Sequence, residues 1–295
     1  MSDFRLKVFQ SVAKNLSFTK ASQELFVSQP AITKHIQELE ATYQTRLFDR
    51  QGSKISLTES GRLLLEHCER ILEDYKRLEY EMHLLHNEYI GELKLGASTT
   101  IAQYVLPPLL GSFIGKFPQV NLSLLNGNSR EIEAALQEHR IDLGLVEGVF
   151  RLPNLKYTTF LEDELVAVVH SKSRLQLPEE ITPQDLPAIP LVLRERGSGT
   201  LDVIERSLQK HGVKLASLHV LMYLGSTESI KLFLENSDCM GIVSIRSICK
   251  ELAAGTFRVV EIKDMPMLRD SCFVQLQGQE GGLSQAFMNY MFMSR

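Results

Sequence analysis

Three short runs of hydroxyl and glycine residues are the parts of this 295-residue chain best suited to hold a small ligand: Ser98-Thr99-Thr100, Gly197-Ser198-Gly199-Thr200 and Ser226-Thr227. Each follows an apolar run that reads as a strand and precedes a stretch that reads as a helix. Hydroxyls and free backbone N–H groups at a helix start suit an anion. Arg194 and Arg196 stand just before the second run, and a guanidinium matches carboxylate, sulfate or phosphate. Asn128 and Glu147 end two further strands and join the candidate set. Glu147 would oppose a bare anion, so a pairing with Arg194 or Arg196 is expected. For any single run the plainer reading is an N-cap, which every helix needs.

A second set of residues suits DNA. Ser28 is a good N-cap, and Pro30 falls in the first turn, where its missing N–H costs nothing. In the helix that follows, Ile32, Ile36 and Leu39 form a buried face. Ser28, Gln29, Pro30, Ala31, Thr33, Lys34 and Gln37 take the leading or exposed face. Gln bonds adenine edges, Thr offers a methyl to thymine, and Lys meets phosphate or guanine. A shorter helix over 18–25, capped by Ser17 and with Ala21 at the contact, precedes it in helix-turn-helix order. Leu47–Arg50 and Lys54–Leu57 read as two strands around Gln51-Gly52-Ser53, a wing from which Arg50 meets phosphate or a minor groove. From spacing alone, a three-helix core with an ordinary polar surface is equally open.

These sites need elements to position them. Leu6, Phe9, Val12, Ala13 and Leu16 mark a first helix, with Asp3 as its cap. Leu64, Cys68, Ile71, Tyr75, Leu78, Met82 and Leu85 alternate by four and three on a helix expected over 59–88, a heptad seam that calls for a second copy of the chain. The alternative is a helix packed on its own domain. From Gly91 strands alternate with helices: strands near 93–97, 120–125, 142–146, 165–169, 189–193, 218–223, 241–243 and 257–262, and helices near 99–116, 129–139, 199–211 and 226–236. That alternation implies a mostly parallel sheet covered on both faces. Ligands of such sheets sit beyond the carboxyl ends of the strands. The Pro178–Pro190 stretch reads as a surface connection.

The bulk numbers exclude several classes. Net charge is −4, and residues 1–60 carry eight basic against six acidic side chains, so pattern rather than charge carries the DNA reading. The charged start lacks an apolar core, so no secretory signal is expected. No run is long enough for a membrane span. None of the four cysteines (68, 239, 249, 272) forms a Cys-x-x-Cys pair, so reduced, cytoplasmic thiols are expected. Cys249, beside Lys250, is expected to be a small buried thiol. His83 and His86 lack a third ligand, so no metal is expected. No nucleophile–base pair stands out, so no catalytic residue, cofactor or enzyme activity is expected. The competing class is a solute-binding or catalytic α/β domain with a helical arm.

Resemblance narrows the choice. Phe9, Val12, Ala13, Ser17-Phe18-Thr19, Ala21, Leu25, Ser28-Gln29-Pro30-Ala31, Thr33, Ile36, Leu39-Glu40, Leu47-Phe48, Arg50, Leu57-Thr58 and Gly61 resemble the LysR-type transcriptional regulator family. The resemblance implies a winged helix-turn-helix over 1–58, a dimerising linker helix over 59–90, and a two-lobed effector domain over 91–295, like a periplasmic binding protein. Lobe I would take 91–162 and 265–295, and lobe II 163–264. It further implies double-stranded promoter DNA, a small effector and RNA polymerase as partners, and a homodimer or homotetramer. The runs around Ser98, Glu147 and Arg194 look like the subgroup that includes sulfur-assimilation and Calvin-cycle regulators, which suggests an oxyanion or a phosphorylated metabolite. Two positions depart from the family pattern: Ser22 replaces an alanine, and Tyr43-Gln44 replaces Leu-Gly. A Gln in a left-handed helix cap costs on the order of 1 kcal/mol.

Overall fold

The computed structural model describes residues 4–51, 54–85, 89–278 and 281–293. It divides into two units, Met1–Glu88 and Tyr89–Arg295. The expected cap Asp3, the turn residues Gly52 and Ser53, and the side chains of Arg50, His83, Leu85 and His86 lie outside what is described.

The first unit contains α1 (Phe4–Asn15), α2 (Phe18–Glu24), α3 (Gln29–Tyr43), the hairpin strands β1 (Phe48–Gln51) and β2 (Lys54–Leu57), and α4 (Glu59–Leu85). Both inner helices start on serine: Ser17 Oγ accepts from Lys20 N at 3.2 Å, and Ser28 Oγ from Ala31 N at 3.4 Å. One core gathers Phe9, Val12, Phe18, Ala21, Ile32, Ile36, Leu47 and Phe48. Each large side chain buried there contributes about 1.5–3 kcal/mol. Helix α3 ends with Gln44 at φ 50° and ψ 36°, and the Gln44 N–H returns to Ala41 O. The left-handed cap thus forms without glycine. At Gly61 glycine is required, because an added Cβ would lie 2.1 Å from Leu47 O.

Helix α4 uses two faces, which corrects the expected seam at its first two positions, Leu64 and Cys68. Cys68 is fully buried in the unit's own core, and its thiol donates to Leu6 O at 3.3 Å. Leu72 joins it there. The first turns of α4 must cover α1, so they cannot also serve a partner. Farther along, Ile71, Leu78 and Met82 remain 40%, 53% and 53% exposed.

The second unit runs through β3 (Gly91–Ser98), a widened π-type turn over 101–105, α5 (Leu106–Lys116), β4 (Val120–Gly127), α6 (Ser129–Gln137), β5 (Leu143–Glu147) and β6 (Leu155–His170). It continues with β7 (Glu180–Ile181), β8 (Leu191–Arg194), α7 (Gly199–Lys210), β9 (Val220–Leu224), α8 (Thr227–Glu235), β10 (Met240–Ser244), α9 (Cys249–Ala253), β11 (Phe257–Ile262), β12 (Met267–Leu276) and α10 (Gly282–Met293). Strand order is β4-β3-β5-β12-β6-β10-β8-β9, with β11 on β6 and β7 on β11.

The ends of this sheet are parallel, as the alternation implies: β4, β3 and β5 at one end, β10, β8 and β9 at the other. The middle is not. β12 runs antiparallel to both β5 and β6, from Met267↔Leu165 to Leu276↔Leu155. Each end of the sheet gathers its own apolar clusters, and the largest at the two ends are separate. One holds Leu93, Leu95, Phe113, Leu145 and Phe273; the other holds Leu165, Leu191, Leu193, Ile204 and Ile242. The unit is therefore two α/β lobes joined by the long strands β6 and β12. The Pro178–Pro190 stretch seats Ile181, Leu186 and Ile189 in the second core rather than forming only a surface connection.

Candidate functional site

In the first unit, the residues expected to read DNA share the outer face of α3. Ser28, Gln29, Pro30, Lys34 and Gln37 are exposed, and Ala31 and Thr33 half-exposed. Thr33 Oγ1 donates to Gln29 O at 3.1 Å, which engages the hydroxyl within the helix and leaves the methyl for apolar contact. Pro30, Thr33, Lys34 and Gln37 are spaced by three and four, so they form one stripe on the side opposite Ile32, Ile36 and Leu39. Arg50 falls on β1; its side chain is outside the described atoms.

In the second unit, the candidate residues gather where the lobes meet, in two clusters. The first is built on Arg194 at the end of β8, whose side chain is 3% exposed. Its Nη2 donates to Thr99 Oγ1 of the other lobe at 3.3 Å and to Gly225 O at 3.2 Å. Nε donates to Glu195 Oε2 at 2.8 Å and Nη2 to Glu195 Oε1 at 3.0 Å. Ser98 and Thr100 flank Thr99 and are also buried. The Ser98 hydroxyl has no hydrogen-bond partner among the described residues.

The second cluster surrounds Glu147. Ser129 Oγ donates to Glu147 O at 2.8 Å, and Gly199 packs so closely there that an added Cβ would lie 1.9 Å from that oxygen. The Arg130 N–H donates to Gly197 O at 3.3 Å across the same junction. The Glu147 carboxylate pairs with neither Arg194 nor Arg196. It faces Arg269 Nη2 at 3.4 Å. Arg269 is fully buried on β12 and spends its remaining donors on Asp163 Oδ2, at 2.9 and 2.7 Å, and Thr200 Oγ1, at 2.9 Å. Ser244 Oγ donates to Asp163 Oδ1 at 2.8 Å. Glu147 and Asp163 thus balance a buried guanidinium that would be untenable alone.

Three candidates prove to be helix caps. Asn128 forms a capping box with Glu131, Ser198 Oγ accepts from Thr200 N, and Ser226 Oγ accepts from Ser229 N. Thr227 is buried behind Ser226 at the start of α8. A third contact bridges the lobes outside all the candidate runs. The Tyr104 hydroxyl, in the π-type turn, donates to Glu228 on α8. Lys231, itself buried, bonds Glu228 at 2.9 Å and pairs with Glu251. Burial, with the Glu228 carboxylate alongside, pushes the Tyr104 hydroxyl far above its ordinary range. Burial alone would raise Glu228, but the hydrogen bonds from Tyr104 and Lys231 outweigh it and hold that carboxyl below its usual value.

Sequence reasoning missed Tyr104, Asp163, Glu228, Lys231 and Arg269. The sequence pattern hides Arg269: Met267, Arg269 and Ser271 share the buried face of β12, but the outward position between the first two is the apolar Leu268, so no apolar-in, polar-out alternation marks Arg269 as inward. Cys249 is exposed rather than buried, because α9 places it on its outer side; its thiol donates to Ile245 O at 3.3 Å. Among the described residues, no group of three His, Cys, Asp or Glu could hold a metal ion, and no helix is long and apolar enough to cross a membrane.

Known proteins match this architecture end to end. Residues 4–62 match the model of the bacterial regulatory helix-turn-helix protein of the lysR family, and residues 86–292 that of the LysR substrate binding domain. The HTH-type transcriptional regulator CysL of Bacillus subtilis is 29% identical over 91% of this chain and 89% of its own. A probable RuBisCO transcriptional regulator of Cyanidioschyzon merolae is 32% identical over 90% of this chain and 88% of its own. The second unit also resembles the regulatory domain of Synechocystis PCC6803 CcmR, solved in complex with 2-PG, with a TM-score of 0.62 and 28% identity over 69% of this chain and 97% of that one. With a winged helix-turn-helix in one unit and a two-lobed α/β domain in the other, the chain belongs to the LysR family of DNA-binding transcriptional regulators, in the branch shared by CysL and the RuBisCO operon regulators.

Proposed function

We propose that this regulator is cytoplasmic and is switched by a small oxyanion held between the two lobes, with residues 1–58 reading DNA, 59–90 dimerising and 91–295 sensing. The lobes comprise 91–162 with 265–295, and 163–264. The observation that carries the reading is the buried Arg194 guanidinium, which reaches across from one lobe to Thr99 of the other; the neighbouring residue Ser98 has a buried hydroxyl without a hydrogen-bond partner among the described residues. A cation with hydroxyl donors at a junction of two movable bodies binds an anion and reports it as a change of lobe angle. Ser98, Thr99, Thr100, Arg194 and Thr200 supply donors. Asn128, Ser198, Gly199, Ser226 and Thr227 shape the rim through helix starts, and Glu147 orients Arg269. Phosphorylated acids such as 2-phosphoglycolate, found in the CcmR complex, belong to this ligand class.

The ligand acts only by binding one lobe arrangement better than another, so it shifts a population rather than forcing a movement. In DNA, Gln29 and Thr33 read base edges, Ser28, Pro30, Ala31 and Gln37 line the contact, and Lys34 and Arg50 hold phosphates. The exposed Ile71, Leu78 and Met82 of α4 pair with a second copy. Leu124 and Leu125 on β4 and Leu221, Met222 and Tyr223 on β9 are exposed on edge strands and support pairing of dimers into a homotetramer. RNA polymerase would read the resulting change in DNA geometry.

Substitution on α3 separates base reading from charge. Gln29→Ala is expected to weaken operator binding by on the order of 1–3 kcal/mol and to leave random-duplex binding unchanged. Lys34→Ala is expected to weaken both and to reduce the salt slope by about one. Equal losses for Gln29→Ala on operator and random duplex, in anisotropy titrations, would refute the base-reading role.

A further inference from the structure

Arg194 already holds an anion. Glu195, its neighbour in sequence, accepts from Nε at 2.8 Å and from Nη2 at 3.0 Å, a two-oxygen grip on one edge of the guanidinium. The two partners differ in freedom: the Arg194 side chain is 3% exposed, that of Glu195 26%. Arg194 is fixed by Thr99 Oγ1 and Gly225 O and cannot follow a counter-ion into water. Without a counter-ion it would be an uncompensated buried charge. Glu195 already meets solvent and can rotate outward when another anion takes its place. Being covalently next to its partner, it competes at a high effective concentration.

We infer that Glu195 is a resident counter-ion that an anionic effector must displace from Arg194, and that this exchange sets how strongly an anion must bind to occupy the site. The inference rests on the reading of Arg194 as the anion-binding residue. A monocarboxylate would replace Glu195 with the same chemistry on the same donors, and would lose its freedom in solution besides. It gains nothing from the exchange. A phosphoryl group brings nearly two charges and three acceptor oxygens, so it outcompetes the resident carboxylate and has an oxygen left for a further donor. The Ser98 hydroxyl, one residue from Thr99, buried and without a hydrogen-bond partner among the described residues, is the candidate for that donor. The selected class is a dianionic phosphoryl or sulfuryl compound, with monocarboxylates rejected.

The test is isothermal titration of the full chain with 2-phosphoglycolate, inorganic phosphate, sulfate and acetate, in wild type, Glu195→Gln, Glu195→Asp and Arg194→Gln. Wild type is expected to bind a phosphoryl or sulfuryl compound at least ~10-fold more tightly than acetate, a 1.4 kcal/mol difference. Glu195→Gln is expected to bind acetate measurably and to tighten for every anion by a similar factor, since the same resident competitor is removed from all of them. Glu195→Asp keeps the charge on a shorter arm, so it should move the same way by less; it carries the test if Glu195→Gln fails to fold. Anion binding that needs Arg194 but is the same in wild type and both Glu195 variants overturns the exchange while sparing the anion reading. No anion bound by any variant, or binding indifferent to Arg194→Gln, overturns both.

Discussion

Gly199 occupies a point where no side chain fits, since its missing Cβ is what lets α7 begin against Glu147 O. Gly199→Ala is therefore expected to open the lobe junction and to cost at least the roughly 1–3 kcal/mol typical of overpacking, read as a lower Tm and a lost effector response. Gln44 carries the opposite sign. It holds a left-handed φ of 50° that glycine adopts freely. Gln44→Gly should stabilise the N-terminal unit by about 0.5–1 kcal/mol, the relief of strain exceeding the added freedom of the unfolded chain. A Tm that falls would show that the Gln44 side chain matters more than its backbone. The cysteines provide a third check. Cys68, Cys239 and Cys272 are buried, and burial pushes the Cys68 thiol up to about 12 and that of Cys239 to about 11. Native protein at pH 8 should expose only Cys249 to a thiol reagent, with all four reacting after denaturation.

Elements differ in how far sequence discloses them. The caps Ser17 and Ser28, the apolar face of α3 and its polar stripe follow from local rules, and the structure keeps each of them. The parallel ends of the sheet were equally plain, because β3, β4 and β5 are short apolar runs between helices. The long strands β6 and β12 were not. Their inward positions include Asp163 and Arg269, so the alternation that marks a half-buried strand is broken where the two charges meet. Pairing of distant segments supplied the information that the local pattern lacked. Removing one partner should show its value: Arg269→Ala leaves Glu147 without a cation among the described residues and Asp163 with only Ser244 Oγ and Arg246 at 3.7 Å, and is expected to cost about 3–5 kcal/mol. Helix α4 misled in part for a related reason, since the heptad includes Cys68, which the unit's own core claims. For the residues past it, Leu78→Asp should shift the chain toward monomer on size-exclusion with light scattering, and an unchanged mass would assign that stripe another role.

At the scale of the whole molecule, each lobe has its own apolar core, and Arg194–Thr99, Arg130–Gly197 and Tyr104–Glu228 are polar contacts from one lobe to the other. A change of lobe angle would have to break these contacts while leaving the two cores intact. The Tyr104–Glu228 contact gives that change a pH dependence. Glu228 titrates below its ordinary 4.5 in the folded chain, so its contribution is present above that value and is lost as pH falls through the lowered one. Circular-dichroism melts at pH 7 and below pH 4 should show an acid-induced loss of stability that is smaller in Glu228→Gln; an equal loss would place the sensitivity elsewhere. The central claim is that a small oxyanion in the sensing unit alters how this regulator holds DNA. The direct measurement is fluorescence anisotropy on duplex DNA from upstream of its own gene, against random duplex, at two salt concentrations, with and without sulfite, sulfate, thiosulfate and 2-phosphoglycolate. Binding that is site-selective, weakens steeply with salt and shifts with one of these anions is the predicted result. Selective binding that none of them alters, in wild type as in Arg194→Gln, would contradict it.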